Sequence, residues 1–174
     1  FFSQKGPGAM HAPWLISLAA GLVVGGLAQF SRLCTVGGFR DLFLFKKSIL
    51  IFGYLAVLIG VFVVNISFGN FHLGFENQPI AHTDGLWNFL GMALAGFCSV
   101  LLGGCPLRQL IMTGEGNSDS AVTVLGLAAG AAFAHNFGLA ASGAGPTLNG
   151  EIAVVVGFIV ALIIAVVNTK RANA

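Results

Sequence analysis

Gly103-Gly104-Cys105-Pro106-Leu107-Arg108-Gln109 breaks a hydrophobic run with two glycines, a thiol, a proline and an arginine. Proline in the first helical position gives up only a donor that the helix leaves free anyway, so Cys105-Pro106 reads as an N-cap followed by a first turn. The glycines allow tight turning and close approach of backbone to a ligand. The free N–H groups and positive dipole end of that helix then lie beside the thiol, a geometry suited to an anion. Arg108 stays charged at any relevant pH, and a charge at membrane depth is costly enough to mark a functional position. Gly114 stops the helix after about two turns, well short of a bilayer core of ~30 Å. It reads as a re-entrant element, tolerated at depth only where protein or a watery cavity surrounds it.

Composition sets the medium. Of 174 residues, 56% are hydrophobic and 8% charged, whereas soluble domains carry about 25% charged residues; the mean hydropathy is +0.91. The chain is an integral membrane protein. A net charge of +2, with no basic stripe among aromatics, excludes a nucleic-acid partner. Three cysteines scattered through apolar sequence form neither a disulfide framework nor a spaced zinc site. No metal, cofactor, catalytic constellation or enzymatic activity is expected. The chain opens on Phe1, and Phe1 to Pro13 lacks the ordered regions of a signal peptide. We therefore read residues 1–174 as a single transmembrane domain forming the carboxyl-terminal part of a longer protein.

The expected fold is all-α: about five transmembrane helices plus two short re-entrant or broken helices. The spans run from Trp14 to Phe30, Ser48 to Phe68, Leu86 to Leu102, Ala121 to Ala141 and Ile152 to Val167. Phe43 to Lys47 reads as a connector, and Asp119 or Ser120 as the cap of the fourth span. Gly21, Gly25 and Gly26 have the small-residue spacing of a helix-packing face. The loop from Gly69 to Asp84 carries His72, Glu76, His82 and Asp84 without a metal-ligand spacing, so solvation is favoured over metal binding. It has no lysine or arginine, while Arg32, Arg40, Lys46, Lys47, Lys170 and Arg171 fall on the other side. That excess predicts a cytoplasmic carboxyl terminus.

A second break, Ser31-Arg32-Leu33-Cys34-Thr35-Val36-Gly37-Gly38-Phe39-Arg40-Asp41, repeats the theme. The shift that places Cys34 on Cys105 also places Gly25 on Gly96. This predicts an internal repeat, with units at approximately 14–68 and 85–141 and the last span at 152–167, as in transporters whose site lies where broken helices meet. Cys34 and Cys105 are the leading path residues, supported by Arg108, Gly103, Gly104, Pro106 and Gln109. Cys98 lies two turns before Cys105 and is a further candidate to share its face, although a lone cysteine in an apolar helix is usually a small buried hydrophobe. Arg32 and Arg40 are additional positive groups. His135, an imidazole within a span, and its neighbour Asn136 are either functional or bonded near the far interface. Thiols are soft, polarizable, weak donors; flanked by cations and a helix N-terminus, they suit a small, soft anion with a terminal sulfur or selenium. The alternative is a membrane thiol oxidoreductase cycling a Cys34–Cys105 disulfide, for which no Cys-X-X-Cys motif is present.

The two cysteine stretches, with Gly114-Glu115-Gly116-Asn117-Ser118-Asp119-Ser120, Ala81-His82-Thr83-Asp84-Gly85-Leu86-Trp87 and Ala134-His135-Asn136-Phe137-Gly138, resemble the YeeE/YedE family of bacterial inner-membrane proteins. The likeness covers almost the whole chain and is nearest to the YedE branch, associated with selenium transport. The resemblance implies a longer protein with a second, similar half, short helices dipping into the membrane, and uptake of a sulfur compound such as thiosulfate. It implies that Cys34 and Cys105 pass the ion by hydrogen bonding to its sulfur. A soluble carrier of the TusA type is the implied cytoplasmic partner, beside the lipid bilayer and the anion itself.

Overall fold

A computed structural model of the chain describes residues 12–74 and 82–172. Glu76, Ala81 and the opening residues Phe1 to Gly8 lie outside them. The described residues form seven helices: α1 (Trp14–Ser31), α2 (Thr35–Phe45), α3 (Ile49–Ser67), α4 (Gly85–Leu101), α5 (Pro106–Gly114), α6 (Ser118–Asn136) and α7 (Leu148–Ala172). No strand occurs among the described residues; an isolated bridge joins Ser142 and Gly145. The order long, short, long occurs twice, as α1–α2–α3 and α4–α5–α6, before α7.

Local chemistry explains the boundaries. Arg32 and Lys46, both left-handed, end α1 and α2. Asp84 caps α4 by accepting from the Trp87 N–H at 3.4 Å. Pro106 opens α5 at its first position, where its missing donor costs nothing. Asn117 caps α6, accepting from the Ser120 N–H at 2.9 Å. The cap thus lies two or three residues before the expected Asp119 or Ser120, and α6 begins earlier accordingly. It also ends earlier, at Asn136, where Gly138 turns with a φ of 64°. α2 continues through Phe45, so the connector shrinks to Lys46–Ser48. The last helix outruns its expected 152–167 because Thr147 accepts from the Gly150 N–H at one end and polar residues extend it beyond the apolar core at the other.

Four stretches are long and apolar enough to cross a membrane: those within Trp14–Phe45 and Gly85–Gly114, Ile49–Ser67, and Leu148–Lys170. α6 has 19 residues, but Ser118, Asp119 and Ser120 at its start and His135 and Asn136 at its end shorten its apolar stretch, so four stretches rather than five have the length and composition of a span. α2 and α5, with 11 and nine residues, reach only roughly 17 and 14 Å at 1.5 Å per residue.

α2 packs on α3, α5 on α6 and α4 on α7; α1 also meets α5, and α2 meets α4. Each short helix thus touches the first long helix of the other triplet. Among the described residues the buried apolar set is Ala28, Cys34, Cys105 and Ala161, and the buried polar set is Ser99, Gln109 and Ser120. Most of these lie at or beside the helix breaks. α3 buries no residue at all. The long helices keep their apolar faces outward, while small and polar side chains hold the breaks together, as expected where lipid removes the hydrophobic drive for helices to associate.

Candidate functional site

Cys34 and Cys105 stand at equivalent places: each is the extended N-cap residue of a short helix, Cys34 of α2 and Cys105 of α5. The Cys34 thiol lies in the neighbourhood of both the backbone and the side chain of Cys105. It also accepts from the Gly37 N–H at 3.3 Å. Both thiols are free and buried, at 9% and 8% exposure. Two helix N-termini therefore converge on two thiols, and their unpaired N–H groups and dipoles add partial positive charge there.

The loop before Cys105 is fixed by its own residues. Gly103 takes a φ of +74°, a left-handed conformation that costs other residues about 1–2 kcal/mol. Buried Gln109 donates from Nε2 to the Leu102 carbonyl at 3.0 Å, locking the loop onto the first turn of α5. A Cβ on Gly104 would meet that Nε2 at 3.4 Å and the Arg108 stem at 3.6 Å. On the other break, a Cβ on Gly37 would meet the Cys34 Cβ at 3.3 Å and Sγ at 3.5 Å; one on Gly38 would lie 3.5 Å from the backbone of α3. Glycine here lets α2 sit close to both the thiol and α3.

Arg108 extends along α5 rather than lying free at its start. Its Nη1 donates to Gln29 Oε1 at 3.3 Å, and its Nη2 pairs with Glu115 Oε2 at 3.7 Å. The Gln29 amide in turn donates to Glu115 Oε1. Sequence reasoning missed both Gln29 and Glu115. One signal was available: an acidic residue at the negative end of a helix dipole is unfavourable unless a cation meets it, and Arg108 is two turns back on the same face.

The remaining candidates lie elsewhere. Arg40 pairs with its neighbour Asp41 at 2.9 Å, and Arg32 is the exposed C-cap of α1. Cys98 does not share the face of Cys105; it lines an open apolar groove of about 1270 Å³ with Phe133, Val156 and Asn168 among others, between α4, α6 and α7. This groove has none of the thiol site's chemistry. His135 is exposed in the last turn of α6, and the Asn136 amide donates to the Ala132 carbonyl at 2.8 Å. Neither is brought to the thiols. Among the described residues, no group of three or more His, Cys, Asp or Glu side chains is placed to hold a metal.

A multi-pass helical membrane protein with paired short helices, whose breaks place two buried thiols at helix starts, has the broken-helix construction common among transporters. The model of the sulphur transport family matches residues 30–173, and the chain belongs to that family. Over 111 residues it is 30% identical to the thiosulfate transporter TsuA of Escherichia coli (strain K12), covering 62% of this chain and 30% of that protein. The match thus spans about a third of that relative's length. No solved structure matches the chain.

Proposed function

We propose that this chain forms the passage by which a small sulfur-bearing anion crosses the bacterial inner membrane, with the Cys34 and Cys105 thiols meeting the anion's terminal sulfur. The observation that carries the reading is that these two buried thiols are neighbours at the starts of two short helices. A thiol is a weak, soft donor, suited to a terminal sulfur that must be held loosely enough to leave. The anion's oxygens look instead to helix N-terminal N–H groups and a guanidinium. Gly103, Gly104, Pro106 and Gln109 shape that cradle, and Arg108 supplies charge. Cys98, Arg32, Arg40, His135 and Asn136 stand outside the passage.

Thiosulfate is the first substrate to test, from the relative's name; a selenium analogue follows from the resemblance to the YedE branch. The doubled order of long, short and long helices supports an internal repeat, with the site where the units meet. The basic residues support a cytoplasmic carboxyl terminus, from which a carrier of the TusA type would receive the sulfur. Proteoliposomes holding the complete protein should take up labelled thiosulfate, with selenosulfate competing. Cys34→Ala and Cys105→Ala together should abolish uptake, and normal uptake by that double variant rejects the thiol path.

One observation favours a second reading: thiols this close also suit a membrane oxidoreductase cycling a Cys34–Cys105 disulfide. Differential alkylation decides it, because thiols that stay free under both oxidising and reducing conditions remove that reading.

A further inference from the structure

The geometry points to an internal competitor at the anion site: Glu115, braced by Gln29, holds the Arg108 guanidinium, so an entering anion must displace a carboxylate to reach it. This inference rests on the transport reading above. Arg108 is the third residue of α5 and Glu115 follows its last, seven positions on and about 10 Å along the axis. Only their extended side chains span that rise, and the guanidinium is thereby drawn away from the helix start where the thiols lie. Each charge alone opposes the dipole of α5, a cation at its positive end and an anion at its negative end. Pairing relieves both.

Gln29 comes from α1 and serves the two partners at once, accepting from Arg108 at 3.3 Å and donating to Glu115. The network thus joins the first triplet of helices to the second. Its openness makes it a latch rather than a permanent tie: the Arg108 and Glu115 side chains are 23% and 38% exposed, and such pairs are worth up to about 1 kcal/mol. A guanidinium recognises a carboxylate and the oxygens of a sulfur oxyanion with the same planar fork. The two anions therefore compete for one partner. Gln29 and Glu115 act through Arg108 and are positioning residues.

The test is the concentration dependence of thiosulfate uptake by proteoliposomes holding the complete protein. Glu115→Gln should lower KM about two- to fivefold, the range an exposed ion pair allows, without reducing the maximal rate. Gln29→Ala, which keeps both charges but removes their brace, should lower KM in the same direction and provides a second reading if Glu115→Gln does not accumulate. Neither change should lower KM when Arg108→Gln is already present. An unchanged or raised KM in both variants, as a merely structural brace would give, overturns the latch while thiol-dependent uptake leaves the transport reading standing. No thiosulfate uptake by the unaltered protein overturns both.

Discussion

At the scale of single residues, Gly103 and Gly104 look alike in sequence and differ in what a methyl group would cost. Gly103 is left-handed at +74°, so Gly103→Ala should destabilise by about 1–2 kcal/mol, with asparagine better tolerated. A Cβ on Gly104 would make only ordinary contacts at 3.4 Å and beyond, so Gly104→Ala should cost less; thermal unfolding in detergent gives the ranking, and the reverse order would contradict the turn geometry described here. Gln109→Ala removes a buried donor from the Leu102 carbonyl and should cost about 1–2 kcal/mol by the same measurement. The thiols and the loop around Cys105 were legible in the sequence because glycine, cysteine and proline have few other reasons to interrupt an apolar run together. The partners of Arg108 were not. A long side chain can reach several places, and only the packing of α1 on α5 selects Gln29 and Glu115.

At the scale of elements, the breaks are set by local rules that sequence shows well, and the caps by rules it shows less well. Asp84, Asn117 and Asp119 are all acceptable caps on paper; geometry selects Asp84 for α4 and Asn117 for α6. Asn117→Ala should therefore cost about 1 kcal/mol, while Asn117→Ser should be nearly neutral. Thermal unfolding of the two variants checks this, and equal losses would show that the cap is not the cause. The extent of α2 through Phe45 was hidden because Arg40, Asp41, Lys46 and Lys47 give that stretch the look of a polar connector. In the structure Arg40 pairs with Asp41 on the exposed side, and the helix continues beneath them.

At the scale of the molecule, the chain keeps large apolar side chains outside and small or polar ones within. A Cβ on Gly21, Gly25 or Gly26 would meet nothing within 4 Å, so the glycine stripe read from the sequence as a packing face has no partner among the described residues. Pattern showed that the face existed and could not show what it meets. The charge asymmetry makes its own prediction: an impermeant maleimide applied to intact cells should label Asn70→Cys and miss Ala172→Cys, and the opposite pattern would reverse the topology. Helix number, membrane class and both breaks could be read in advance, but the meeting of the breaks is a long-range contact that no periodicity encodes. That meeting carries the account, and oxidative cross-linking of Cys34 to Cys105 in a Cys98→Ala background of the complete protein tests it most directly. Thiosulfate uptake should fall as the disulfide forms, located by mass spectrometry, and return on reduction; a disulfide that forms while uptake continues unchanged would contradict a shared thiol passage.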